Sequence, residues 1–174
     1  MSIALAEKYQ EIETIKNKFL QKVANLNAEQ LNKVATNGGW SAGQTLYHCS
    51  FAESGTIIVM QKNLAENKVQ LQSSIGSVFR NILLVVLLKL PIKFKAPKVV
   101  SSVPEHVSIK EIQDYFAKNT NDFKQLLINL PLELEDKYIF KHPRSGWFNI
   151  QQVLHFVSEH YAHHERQLDE VLGK

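Results

Sequence analysis

The chain has 174 residues, with 20 Lys and Arg against 17 Asp and Glu, a net charge of +3. That length suffices for one domain with a sizeable core, residues 1–174, and so mild a charge gives no argument for nucleic-acid binding. Apolar content of 44% is ordinary for a globular protein, and a single cysteine, Cys49, excludes an internal disulfide.

The first residues, Met1-Ser2-Ile3-Ala4-Leu5-Ala6-Glu7-Lys8, lack a basic segment followed by an apolar one, so they do not read as a signal peptide. With the lone cysteine, this makes the cytoplasm the expected compartment. Tyr9, Ile12, Ile15, Phe19, Val23 and Leu26 recur at helical spacing and predict a first helix over about residues 3–25. Asn27 with Gln30 fits a capping box and predicts a further short turn of helix. Asn37-Gly38-Gly39 then breaks the chain.

Ser41 and Gln44 form a second capping box directly after Trp40 and open a second long helix, reaching about residue 67. His48 lies one turn after Gln44, with Ala52, Gly55 and Val59 near its face. Glycine inside a helix costs about 1 kcal/mol against alanine. A close helix contact or a cavity for a ligand would each account for Gly55. Cys49, about 100° from His48 on the helix, reads as a small core residue and not as a nucleophile paired with it.

Around residues 78–100 an insert carries a continuous apolar run, Ile82 to Leu88, followed by Lys89, Lys93, Lys95 and Lys98. The run is too short for a membrane span, which takes about 20 residues. A buried helix or a homodimer contact is expected, with a membrane-surface patch as the lesser alternative. Pro91 to Pro104 reads as an irregular crossover. Ser108 and Glu111 open a third long helix carrying Ile109, Ile112, Phe116, Phe123, Leu127 and Leu130 and ended by Pro131. Residues 131–148 read as a long connection without convincing strand alternation, with turns at His142-Pro143-Arg144-Ser145-Gly146-Trp147. Asn149 caps a fourth helix running to about residue 172. The expected fold is all-α, a four-helix bundle with a long crossover between the second and third long helices.

The fourth helix carries His160-Tyr161-Ala162-His163-His164-Glu165-Arg166-Gln167-Leu168. His160 and His164 lie about 40° apart on one face, inside the stripe of Ile150, Val153, Phe156, Val157, Leu168 and Val171. Unpaired buried imidazoles cost roughly 1–3 kcal/mol each, so they need partners: backbone or each other in one reading, a shared metal ion in the other. The metal reading is preferred, and His48 from the second helix would supply a third nitrogen. Gln167 shares the sector and His163 stands at its edge. Gln44 and Gln167 are candidates for supporting the ligands or orienting a substrate, against plain capping and core hydrogen bonding. His163 is a further supporting candidate but is expected to be exposed, as is His155, which points away from the stripe. Trp40 is a pocket candidate or a core residue. Glu165 and Arg166 are expected to be solvated.

Trp40-Ser41-Ala42-Gly43-Gln44-Thr45-Leu46-Tyr47-His48 and the stretch His160 to Leu168, in this order, resemble the two signature segments of the DinB-like superfamily of four-helix bundles. The resemblance spans most of the chain, and the insert sets it apart from the thiol-transferase members. It implies a metal triad of His48, His160 and His164 holding a divalent transition metal, zinc or nickel foremost, with iron or manganese as further options. It implies a metal-dependent enzyme that activates water or a low-molecular-weight thiol toward a small electrophilic substrate, of hydrolase or S-transferase type. The alternative is a non-catalytic metal- or ligand-binding bundle, or a dimeric structural module.

Overall fold

A computed structural model describes residues 2–35, 38–69, 71–72, 74–89 and 103–173. In chain order these form α1 (Ile3–Val23), α2 (Ala28–Asn32), α3 (Ala42–Ala65), α4 (Ile75–Lys89), α5 (Ile109–Asn129), a 3₁₀ turn (Leu132–Leu134), β1 (Tyr138–His142), β2 (Gly146–Asn149) and α6 (Ile150–Leu172). Asn27, Ser41, Ser108 and Asn149 each close a full capping box onto the Gln or Glu three residues on. The start of every capped helix therefore lies where the sequence places it. The expected crossover falls outside the described residues except for Val103 and Pro104. No helix among the described residues is long and apolar enough to cross a membrane.

The four long helices α1, α3, α5 and α6 form the bundle, with α3 against α5 and α6, and α1 against α6 and α5. Leu5, Tyr9, Ile12, Phe19 and Val23 of α1 are buried with Leu46, Ile57 and Met60 of α3, Ile112, Phe116 and Phe123 of α5, and Val153, Val157, Tyr161 and Leu168 of α6. Cys49 is fully buried among them, as expected. One member of the α1 stripe is charged. Lys16, at helical spacing after Ile12, is 2% exposed and donates to Glu13 at 2.8 Å, to Thr120 Oγ1 at 2.8 Å and to Glu53 at 3.3 Å. Glu53 on α3 also accepts from Asn119 of α5 and from the Tyr161 hydroxyl of α6. One buried polar layer thus ties all four helices together.

The connection after α5 departs from expectation. Residues 138–149 form an antiparallel hairpin whose loop is Pro143-Arg144-Ser145, with His142 opposite Gly146. Its strands escape an alternation search because the pairing slips between Tyr138 and Phe140, so that Ile139 and Phe140 are both buried in succession. Gly146 is required there: φ is +90°, and a Cβ would stand 2.2 Å from Ser77 Oγ.

The apolar run of the insert belongs to α4, which packs on α6 and β2. Of Ile82 to Leu88 only Leu88 is buried, while Ile82, Leu83 and Val86 are exposed together with Ile75 and Phe79. The buried face of α4 is instead partly polar, because the hairpin presents backbone groups that need partners. Ser77 donates to the Ser145 carbonyl and accepts from the Trp147 N–H, both at 3.0 Å, and Asn81 donates to the Trp147 carbonyl at 3.0 Å.

Lys16→Met is expected to lower the unfolding free energy by about 3–5 kcal/mol, since it strands Glu53 in the core. Adding Glu53→Gln, which keeps an acceptor for Tyr161, is expected to recover at least half of that loss. Urea unfolding of the two variants measures both effects, and a loss below about 1 kcal/mol in the single variant would contradict a desolvated pair.

Candidate metal centre

His48 on α3 and His160 and His164 on α6 come together, each offering one ring nitrogen, with all three nitrogens within 4.8 Å of one another. His48 and His164 are buried, and His160 is half-buried and faces a cleft. The ring centroids are 4.6 Å apart for His160 and His164, 4.8 Å for His48 and His164, and 5.3 Å for His48 and His160. Trp40 closes one side, its ring centroid 4.6 Å from that of His48 and 6.2 Å from that of His164. The Phe156 ring lies against His160, at a centroid distance of 5.8 Å.

The tautomers can be read by starting from a group that can only accept. The Leu88 carbonyl lies 2.9 Å from His163 Nδ1, so that nitrogen carries a proton and donates it. His163 Nε2 is then the acceptor for the Gln167 amide N–H at 3.0 Å. The Gln167 oxygen in turn faces His164 Nδ1 at 2.8 Å, which must be its donor. His164 is left with its lone pair on Nε2. Gln167 therefore orients a candidate ligand in the way that hydrogen-bond partners behind metal-bound histidines do. His163, expected on the surface, is buried at 6% exposure. The cause is tertiary: α4 lies against α6 and brings Leu88 and its carbonyl to that edge.

The remaining candidates separate. Gln44 closes the capping box at Ser41 and donates to the Pro104 carbonyl, outside the cleft. His155 is exposed, as expected. Glu165 is half-buried and pairs with Lys22 at 2.8 Å, while Arg166, exposed, donates to the Leu88 carbonyl. A Cβ on Gly55 would meet nothing within 4 Å. Close helix packing therefore does not account for that glycine, which borders open space.

The space is a cleft of about 770 Å³ among the described residues, within the range of small-molecule sites. Gly55, Thr56 and Val59 line it from α3, and Leu84 and Leu88 from α4. The hairpin adds a wall that sequence reasoning did not single out: Lys141, His142, Arg144 and Ser145. His142 stacks on Phe148 at 5.8 Å and meets Phe156 edge-on at 5.2 Å. The signal in the sequence was only a histidine beside a Pro-Arg-Ser-Gly turn.

Burial holds these imidazoles neutral. Desolvation, and then the neighbouring His164 and His48, push His160 well below its ordinary value. Desolvation and His48 take His164 down to about 3. Desolvation and Arg144 take His142 to about 4. The neutral ring is the form that ligates a metal.

A DinB superfamily model matches residues 11–168. The chain belongs to the DinB superfamily. No curated protein matches it. Among solved structures, the fold is similar to YfiT from Bacillus subtilis, with a TM-score of 0.62 and 17% identity over 99% of this chain and 90% of that one. That protein is described as "a probable metal-dependent hydrolase with an unusual four-helix bundle topology". At this identity the likeness shows the fold: this DinB-superfamily chain is likewise a helical bundle, with the hairpin and α4 packed beside it.

The depressed values set a pH dependence. Unfolded histidines take up protons near pH 6.5, whereas the buried rings do not. Stability is therefore present above that pH and lost as pH falls, by about 1.4 kcal/mol per pH unit for each such ring. Glu53, raised by burial, works in the opposite direction but is a single group. Metal-free protein is expected to unfold at lower urea at pH 5.5 than at pH 7.5, and equal midpoints would contradict neutral rings.

Proposed function

We propose that the chain is a metal-dependent enzyme in which His48, His160 and His164 hold a divalent transition metal, zinc or nickel foremost. The observation that carries this reading is the convergence of three ring nitrogens from two helices at the wall of a cleft. The donor set fits such an ion. Three nitrogen ligands leave a position open for a reactant in catalytic sites. His164 has its Nε2 lone pair turned free by Gln167, and His160 and His164 are neutral without acidification or basification. No carboxylate of the cleft joins the cluster, which disfavours magnesium and calcium, since those ions take oxygen ligands.

A divalent ion held by His48, His160 and His164 would supply Lewis-acid activation of a water molecule or a low-molecular-weight thiol toward a small electrophile, in a hydrolase or S-transferase reaction. The chain's own residues orient and enclose. Gln167 holds the His164 ring, and His163 holds Gln167. Trp40 lies against His48 and His164, and Phe156 against His160. The likeness to YfiT, described as "a probable metal-dependent hydrolase", supports the hydrolase side of the reading.

Elemental mass spectrometry of untagged protein is expected to find about one divalent transition metal per chain, absent in His48→Ala and His160→Ala. Protein that holds no metal and takes up none of zinc, nickel, iron or manganese would overturn the reading. Gln167→Ala is expected to weaken metal affinity about 10–100-fold while sparing the fold, the range for partners behind a ligand. Competition with a chromophoric chelator measures it, and an unchanged affinity would reduce Gln167 to a core hydrogen bond.

A further inference from the structure

The histidine cluster occupies one side of the cleft, and the hairpin forms another with different chemistry. His142 Nδ1 accepts from the backbone N–H groups of Arg144 and Ser145, at 3.3 and 3.1 Å. A backbone N–H can only donate, so the neutral ring carries its proton on Nε2. No described residue accepts that proton. That leaves the Nε2–H of a cleft-lining residue for solvent or for a bound acceptor.

Two guanidinium groups line the same cleft. Arg144 sits in the hairpin loop, and Arg80 reaches it from α4, its guanidinium against Gly146. Both are exposed, and among the described residues neither is ion-paired. Lys141 adds a third positive charge, its ammonium 5.8 Å from the Trp147 ring centroid. Two carboxylates face them. Glu53 is committed to Lys16, Asn119 and Tyr161, and Glu170 stands exposed on α6. The hairpin wall is therefore net positive and rich in donors, and guanidinium is the side chain whose planar fork matches a carboxylate in two parallel hydrogen bonds.

We propose that this wall is a carboxylate subsite: the small molecule taken by the cleft carries a carboxylate, bound by Arg144, Arg80 and the Nε2–H of His142, with its reacting end toward the histidine cluster. The proposal rests on the reading of the cluster above for the identity of the reacting end only. The wall itself holds no proposed metal ligand, so binding there is separable from metal binding. The apolar residues between the two ends, Leu84, Leu88 and Val59, suit a short carbon backbone joining carboxylate and electrophile.

The test is calorimetric titration of zinc-loaded full-length protein with succinate and with its neutral counterpart succinamide, repeated on metal-free protein. Succinate is expected to bind at least ten-fold more tightly than succinamide in both forms. Arg144→Gln and Arg80→Gln are each expected to weaken succinate about ten-fold and leave succinamide unchanged. Both residues are exposed, and an unaltered melting temperature in each variant checks the fold. Equal affinity for the two probes would overturn the proposal. So would succinate binding that survives both arginine substitutions and disappears in His48→Ala, since the carboxylate would then sit on the cluster. Failure to take up zinc would sink the metal reading alone, and the metal-free titration would still decide the subsite.

Discussion

The Leu88 carbonyl is the group on which the orientation of the centre depends. It has no proton to give, so it dictates where the proton of His163 lies, and through Gln167 it dictates the same for His164. A backbone atom of α4 thereby sets which nitrogen of a ring on α6 keeps its lone pair. The dependence runs through packing: Leu88 is the buried residue of an apolar run whose other members are exposed or half-buried. Moving α4 would cost the candidate ligand its tautomer before it cost the bundle its core.

Beneath the centre lies a second constraint of a different kind. Tyr161 follows His160 in sequence and points into the bundle, where its hydroxyl reaches Glu53 at 2.9 Å and its ring meets Phe19 edge-on at 5.5 Å. Glu53 is held in turn from α1 and α5. Removing either member of a buried pair leaves the other uncompensated, so the rotation of α6 about its axis is confined to settings that keep these contacts. His160 and His164 share that rotation with Tyr161. The polar layer therefore aims His160 and His164 through the helix they share with Tyr161.

Much of this was legible in the sequence because the signals are local. A capping box closes within four residues: three were readable at Asn27, Ser41 and Ser108, and Asn149 was readable as an N-cap whose box with Gln152 the structure adds. The helical repeat alone put His160 and His164 on the apolar face, and His48 follows from its place after the second box. What escaped was set by distant partners. Lys16 follows the apolar spacing of α1 but looks like a surface lysine until Glu53 is seen opposite it. His163 lies at the edge of the stripe, and only α4 turns that edge into interior. The hairpin hides behind a slipped register, and α4 inverts the usual rule by burying Ser77 and Asn81 against backbone groups while Phe79 and Ile82 face outward.

Cys49 adjoins His48 in sequence yet is fully buried, and burial together with Glu53 keeps its thiol protonated well above the usual range. Only thiolate attacks electrophiles or captures soft metal ions. The protein's single sulfhydryl is thus inert toward whatever passes through the cleft. An electrophile or a soft metal ion admitted to the cleft would therefore meet no thiolate from Cys49.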